Sequence, residues 1–255
     1  MDLELRGKIA IVNGASQGIG LAIARTLAAE GAAVCMTARR EPPLAQAAER
    51  VARETGATVA AVPGDVRKAE DCSHIVEEAV RRFGGVDILV NNDGAPPLGN
   101  SVEFDDAAWA KAVEQNLMSV VRMIRGVVPH MRGRGGGSIV NITALSAVQP
   151  LPGFGLSVAT WAGVIGLAKT LSLELGPLGI TINTICPGLI ETPRLHKVTA
   201  QSGRAMQDLA AEIPVGRVGQ PEDIATMTAL LVSRRGSYVS GATIQIDGGL
   251  RKSLL

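Results

Sequence analysis

The chain has almost no aromatic side chains: one tyrosine, two tryptophans and three phenylalanines in 255 residues. So sparse a set offers no stacking platform for single-stranded nucleic acid and makes the core aliphatic. Cysteine is scarce too. Cys35, Cys72 and Cys186 are odd in number and far apart, which argues against a disulfide framework or a metal site and fits reduced thiols in the cytoplasm. An excess of one charge is also missing. The net charge is +1 with no basic run, so neither a nucleic-acid nor a membrane partner is expected on electrostatic grounds. No charge-free stretch looks long enough to cross a bilayer, and the acidic start, Met1 to Glu4, carries no apolar signal segment.

What is present is a large apolar fraction, 46%, arranged in regular alternation. Short apolar runs predict strands at 8–13, 33–37, 58–62, 86–91, 138–142, 181–185 and 243–246. Between them, 3.6-residue periodicity predicts helices at 19–30, 44–54, 69–83, 105–130 with a bend near Asn116, 157–175, and one capped near Pro221. A less regular, substrate-side segment covers 189–218. Continuous apolar strands alternating with helices imply a parallel sheet covered on both faces. With right-handed crossovers this is a doubly wound, Rossmann-type α/β fold, read as one domain over 1–255.

The first strand runs into NGASQGIG at 13–20. Gly14, Gly18 and Gly20 let the backbone turn tightly beside Ser16, Gln17 and Ile19, and the following helix points its N-terminal amides at an anion. Further pieces are GDV at 64–66, NNDG at 91–94, SIVNI at 138–142, INTICPGLIETP at 182–193, GRVGQPEDIA at 216–225 and SGATIQIDGG at 240–249. Together these resemble the short-chain dehydrogenase/reductase family over nearly the full length. The resemblance implies that Asp65 and Val66 flank an adenine and that Asn91 and Gly94 line the cofactor cleft. It also implies that Pro187, Gly188, Ile190 and Thr192 lie near the nicotinamide carboxamide and the phosphates. Where an acidic residue would select NAD, this chain has Ala38-Arg39-Arg40. A guanidinium suits a 2′-phosphate, which favours NADP over NAD; two solvated arginines at a loop edge is the other reading. The family pattern has threonine where Asn13 stands and alanine where Asp93 stands. A compensating hydrogen bond from the Asn13 amide to the Asp93 carboxylate is expected.

The same resemblance exposes a gap. The family moves its proton with an asparagine, a serine, a tyrosine and a lysine, the last two four residues apart on one helix face. The segment WAGVIGLAKTL at 161–171 fixes the register. Asn116 matches, but Ala144, Ser157 and Trp161 stand at the serine, tyrosine and lysine positions. A tyrosine titrates near about pH 10 and a neighbouring cation lowers that value; serine has no comparable acidity, and indole offers one N–H and no charge. Trp161 is also bulky where the cofactor ribose should lie, so weak or absent nucleotide binding is expected. Cys186 with His196 is conceivable as a nucleophilic pair, but a buried cysteine and a surface histidine is the simpler reading.

Three functions follow, in order. The first is a non-catalytic subunit of a hetero-oligomeric dehydrogenase, a tetramer formed with an active paralogue or with itself, acting by family analogy on a hydroxyacyl-CoA-type substrate. The second is an active NADP(H)-dependent oxidoreductase with an atypical proton donor. The third is a non-redox lyase, isomerase or hydrolase on the same scaffold.

Overall fold

In the computed structural model, which describes residues 1–92, 94 and 96–253, seven parallel strands form one sheet. They are β1 (Ile9–Asn13), β2 (Ala33–Ala38), β3 (Val59–Pro63), β4 (Ile88–Asn91), β5 (Gly137–Ile142), β6 (Ile180–Pro187) and β7 (Thr243–Ile246). Their order is β3-β2-β1-β4-β5-β6-β7. The chain winds outward from β1 to β3, then returns to the other side of β1. This reversal opens a crevice between the C-terminal ends of β1 and β4, and it confirms the doubly wound arrangement.

The helices are α1 (Gly18–Ala29), α2 (Glu41–Thr55), α3 (Ala69–Phe83), α4 (Asp106–Val113), α5 (Ser119–Gly133), α6 (Gly155–Leu175), α7 (Pro193–Ser202), α8 (Met206–Glu212) and α9 (Pro221–Val232). Alternate residues of each strand feed two separate cores. Ala10, Val12, Val34 and Val90 pack with α1, α2 and α9. Ile11, Leu89, Ile139 and Ile182 pack with α3, α5 and α6. Burial on both faces is why the strands read as unbroken apolar runs.

Three details differ from the sequence reading. α2 begins at Glu41, before the expected 44, because Pro42 and Pro43 suit a first helical turn, where no N–H is required. The segment 189–218 is more regular than expected. It holds α7 and α8 and a small core of its own around Leu209, Ile213 and Val218. The expectation of no membrane-length apolar stretch also needs correction. Residues Gly155–Leu178, α6 with its C-terminal turn, are long and apolar enough to cross a membrane by length and composition. In this fold Leu156, Trp161, Val164 and Ala168 of that helix are buried.

Candidate active site

The turn after β1 is shaped by contacts that only glycine permits. Gly14 has φ 62°, and a Cβ there would lie 2.4 Å from the Asn92 carbonyl oxygen. A Cβ on Gly20 would lie 2.4 Å from the Gly14 carbonyl oxygen. Asn92 locks this crossing: its Nδ2 donates to the Asn13 carbonyl at 3.2 Å and to that of Gly14 at 3.4 Å. The backbone of the β1–α1 turn is thus held open toward the cleft, with the α1 N-terminus behind it.

That cleft has a volume of about 510 Å³. Of the residues expected there, Gly14, Ser16, Gln17, Gly18, Ile19, Arg39, Val66, Gly94 and Thr192 line it. Arg40 and Arg194 line it too, so three arginines and no carboxylate residue are among its described lining residues. Gly20 lies beneath the turn. The Asp65 carboxylate is engaged by the Arg67 guanidinium, which holds its pKa below the usual carboxylate range. Pro187 ends β6, Gly188 packs against Asp247, and the Ile190 side chain enters the core.

Behind the cleft lies a smaller cavity of about 20 Å³, room for about one water molecule. Val66, Asn92 and Gly94 line both spaces and form the partition between them. The inner cavity is walled by Asn91, Asn116, Asn141 and Trp161 among others, and none of its described lining side chains is titratable.

The polar wall comes from strand register. Asn13 on β1, Asn91 on β4 and Asn141 on β5 fall on one rung of the parallel sheet, with Thr37 and Thr184 on the flanking strands. Their amides form a directed chain: Asn13 Nδ2 donates to Asn91 Oδ1 at 3.1 Å, and Asn91 Nδ2 donates to Asn141 Oδ1 at 2.9 Å. Each end is left over, Asn13 Oδ1 on one side and Asn141 Nδ2 on the other, both buried without a protein partner. The Asn13 amide therefore points to Asn91. Its expected partner Asp93 lies outside the described residues.

Asn116 sits in a π-helical turn, Glu114–Met118, between α4 and α5. This is the bend expected in a long helix, and such turns are common at functional sites. Its Nδ2 donates to the Thr160 hydroxyl at 2.8 Å, which in turn donates to the Leu156 carbonyl at 2.7 Å. Asn116 Oδ1 is buried without a protein partner. Trp161, one residue beyond Thr160, is 8% exposed. Ser157 is buried with its Oγ unpartnered, and Ala144 precedes a short 3₁₀ turn, Leu145–Ala147. Cys186 and His196 do not form a pair. The Cys186 thiol lies 3.2 Å from the Thr143 hydroxyl with its pKa raised by burial, while His196 lies 3.5 Å from Glu191.

Sequence reasoning missed Asn92, Asn141, Thr160 and Arg194. Asn92 and Asn141 stood inside quoted motifs, but their roles depend on partners 50 to 79 residues away.

Known proteins share this design. The profile of a family described as enoyl-(acyl carrier protein) reductase matches residues 14–251. A human protein named dehydrogenase/reductase SDR family member 4 is 35% identical over 96% of this chain and 88% of its own length. 3β-hydroxysteroid dehydrogenase 1 of Eggerthella lenta is 37% identical over 97% of this chain and 95% of its own. The crystal structure of L-sorbose reductase from Gluconobacter frateurii, solved with NADPH and L-sorbose, superposes with a TM-score of 0.96 at 37% identity, covering all of both chains. These relatives carry the names of working oxidoreductases, and that finding overturns the expectation of a non-catalytic subunit. The expectation that nucleotide binding is lost finds no support either, since the glycine turn and its cleft are open.

Proposed function

Because the chain belongs to the short-chain dehydrogenase/reductase family, we propose that it is an NADP(H)-dependent oxidoreductase acting on a carbonyl or alcohol, with a proton donor other than tyrosine. One observation carries the reading: a cleft open over a glycine turn that no Cβ could enter, faced by Arg39, Arg40 and Arg194 and by no carboxylate among its described lining. A site of that charge suits a ligand with a pyrophosphate and a third phosphate. Neither Arg39 nor Arg40 has an ion-pair partner among the described residues.

When bound, the nicotinamide supplies the hydride chemistry. The chain supplies position. Amides at the β1–α1 turn would hold the phosphates, and Arg39, just after β2, would hold the 2′-phosphate. Ala144, Ser157 and Trp161 stand at the family's serine, tyrosine and lysine positions, so the usual acid is replaced. Asn141 Nδ2, Asn116 Oδ1 and Asn13 Oδ1 are a donor and two acceptors left over around one water-sized cavity. They can hold a water that passes a proton to the substrate oxygen and takes a replacement proton from bulk water through the open side of the cavity. A neutral relay of this kind is slower than a tuned tyrosine, since a matched general acid contributes roughly 10²–10⁴-fold.

The test is NADPH oxidation by the purified chain with a panel of ketones, keto sugars and 3-oxoacyl thioesters. Slow turnover, faster with NADPH than with NADH, is expected, with a rate flat between about pH 6 and 9 because no described side chain lining the inner cavity titrates. Failure to consume NADPH with every substrate in the panel would sink the reading.

A further inference from the structure

The start of α7 brings Arg194 into the lining of the same cleft, from the side of the sheet opposite Arg39. Thr192 Cγ2 stands 3.4 Å from where a Cβ on Gly18 would sit, so this segment lies directly against the turn. It is held there. Thr192 Oγ1 accepts from the Leu195 N–H at 3.3 Å and caps α7. The Glu191 N–H donates to the Gly219 carbonyl at 2.8 Å, and the Gly219 N–H donates to that of Leu189 at 2.9 Å. Two residues beyond Thr192, Arg194 lines the same cleft as Gly14 and Gly18. Arg39 enters from β2, the neighbour of β1 on one side; α7 follows β6, three strands away on the other. The cleft is thus lined by an arginine from each side of β1, while α6 offers the inner cavity an indole rather than an ammonium. Turn amides are dipoles without net charge, whereas a guanidinium can form a bidentate, charge-assisted pair with phosphate oxygens.

We propose that Arg194 clamps the pyrophosphate bridge of the dinucleotide against the glycine turn, a role separate from that of Arg39 at the 2′-phosphate. This rests on the oxidoreductase reading only for the identity of the ligand, and four probes separate the two. The parent chain, Arg194→Ala, Arg194→Lys and Arg39→Ala are titrated calorimetrically with NADPH, NADH, ADP and 2′-AMP. Arg194→Ala is expected to weaken NADPH, NADH and ADP alike, by about tenfold or more, and to leave 2′-AMP unchanged. Arg194→Lys recovers part of the loss, because it restores the charge without the fork. Arg39→Ala weakens NADPH and 2′-AMP only. Unaltered melting of the variants shows that they are folded. The clamp is overturned if Arg194→Ala binds ADP and NADH within twofold of the parent, or if it weakens 2′-AMP equally. A parent that binds ADP, with the Arg194→Ala loss, but never NADPH defeats the oxidoreductase reading and keeps the clamp. A parent that binds none of the four removes both.

Discussion

Asn91→Ala cuts the amide chain at its centre. Asn91 is 4% exposed and makes two buried side-chain hydrogen bonds, accepting from Asn13 at 3.1 Å and donating to Asn141 at 2.9 Å. Alanine leaves Asn13 Nδ2 without an acceptor and Asn141 Oδ1 without a donor, in residues that are 2% and 1% exposed. Each orphaned group costs about 1–3 kcal/mol, so about 2–6 kcal/mol in all. That is a large share of a typical stability of about 5–15 kcal/mol, and for a chain of this size it lowers the melting temperature by roughly 5–20 °C. Thermal and urea unfolding of Asn91→Ala measure the loss, and a double-mutant cycle with Asn13→Ala tests its cause. If the loss comes from the stranded Asn13 donor, removing Asn13 as well should cost less in the variant than in the parent, by about 0.5–3 kcal/mol. A loss below about 1 kcal/mol, or additive single mutants, would refute the rung as a coupled unit.

Three other perturbations test the remaining structure. Trp161→Ala removes an indole that is 8% exposed at the inner cavity; it should cost about 3–5 kcal/mol of stability yet tighten NADPH binding, and unchanged affinity would show that the indole packs without narrowing the cleft. Arg134→Ala strips the bidentate partner, at 2.9 and 3.0 Å, from the Asp87 carboxylate, whose side chain is 6% exposed. Lys8 at 3.8 Å and the Ile9 N–H then remain as its partners, and unfolding should show a loss of about 3 kcal/mol; a loss under about 1 kcal/mol would mean that water already reaches the carboxylate. Asp223 is held below the usual carboxylate range, first by Arg217 and then by the Gln220 N–H. Its folded pKa lies below the unfolded one, so its contribution is full above the unfolded value near about pH 3.9 and is lost as pH falls through the folded value. Asp223→Asn should therefore flatten the acid limb of a stability-against-pH curve, and an unchanged limb would contradict the pairing.

The fold was legible because its signals are local. Runs such as IAIVN and AVCMTA announce doubly covered strands, the glycines at 14, 18 and 20 announce the phosphate turn, and a polar Asn116 in a long apolar pattern announced a break that proved to be a π-helical turn. The site was half legible for the opposite reason. Asn13, Asn91 and Asn141 carry no shared local pattern; only the register of three strands, separated by 78 and 50 residues, lines them up. That is why sequence reasoning pairs Asn13 with Asp93 on the resemblance alone, whereas its amide donates to Asn91. α7 was missed although Thr192 and Pro193 are a cap and a first-turn proline, because α7 has no apolar face matching the main cores and packs on the small core of its own segment.

On the proposed reading, in which Ser157 and Trp161 stand at the family's tyrosine and lysine positions, the two residues belong together. An ammonium at 161 would stand among Asn91, Asn116, Asn141 and Val164, all neutral. With serine at 157 it would have no partner to stabilise its charge, and desolvation would drive it toward the uncharged form. A tyrosine at 157 without that ammonium would keep its ordinary high pKa and be a poor acid at neutral pH. Either residue alone carries a cost and contributes little chemistry, so an inner cavity lined by amides, hydroxyls and an indole is the electrostatically consistent alternative to the full pair. On that reading a proton moved here passes through groups that are neutral among the described lining residues.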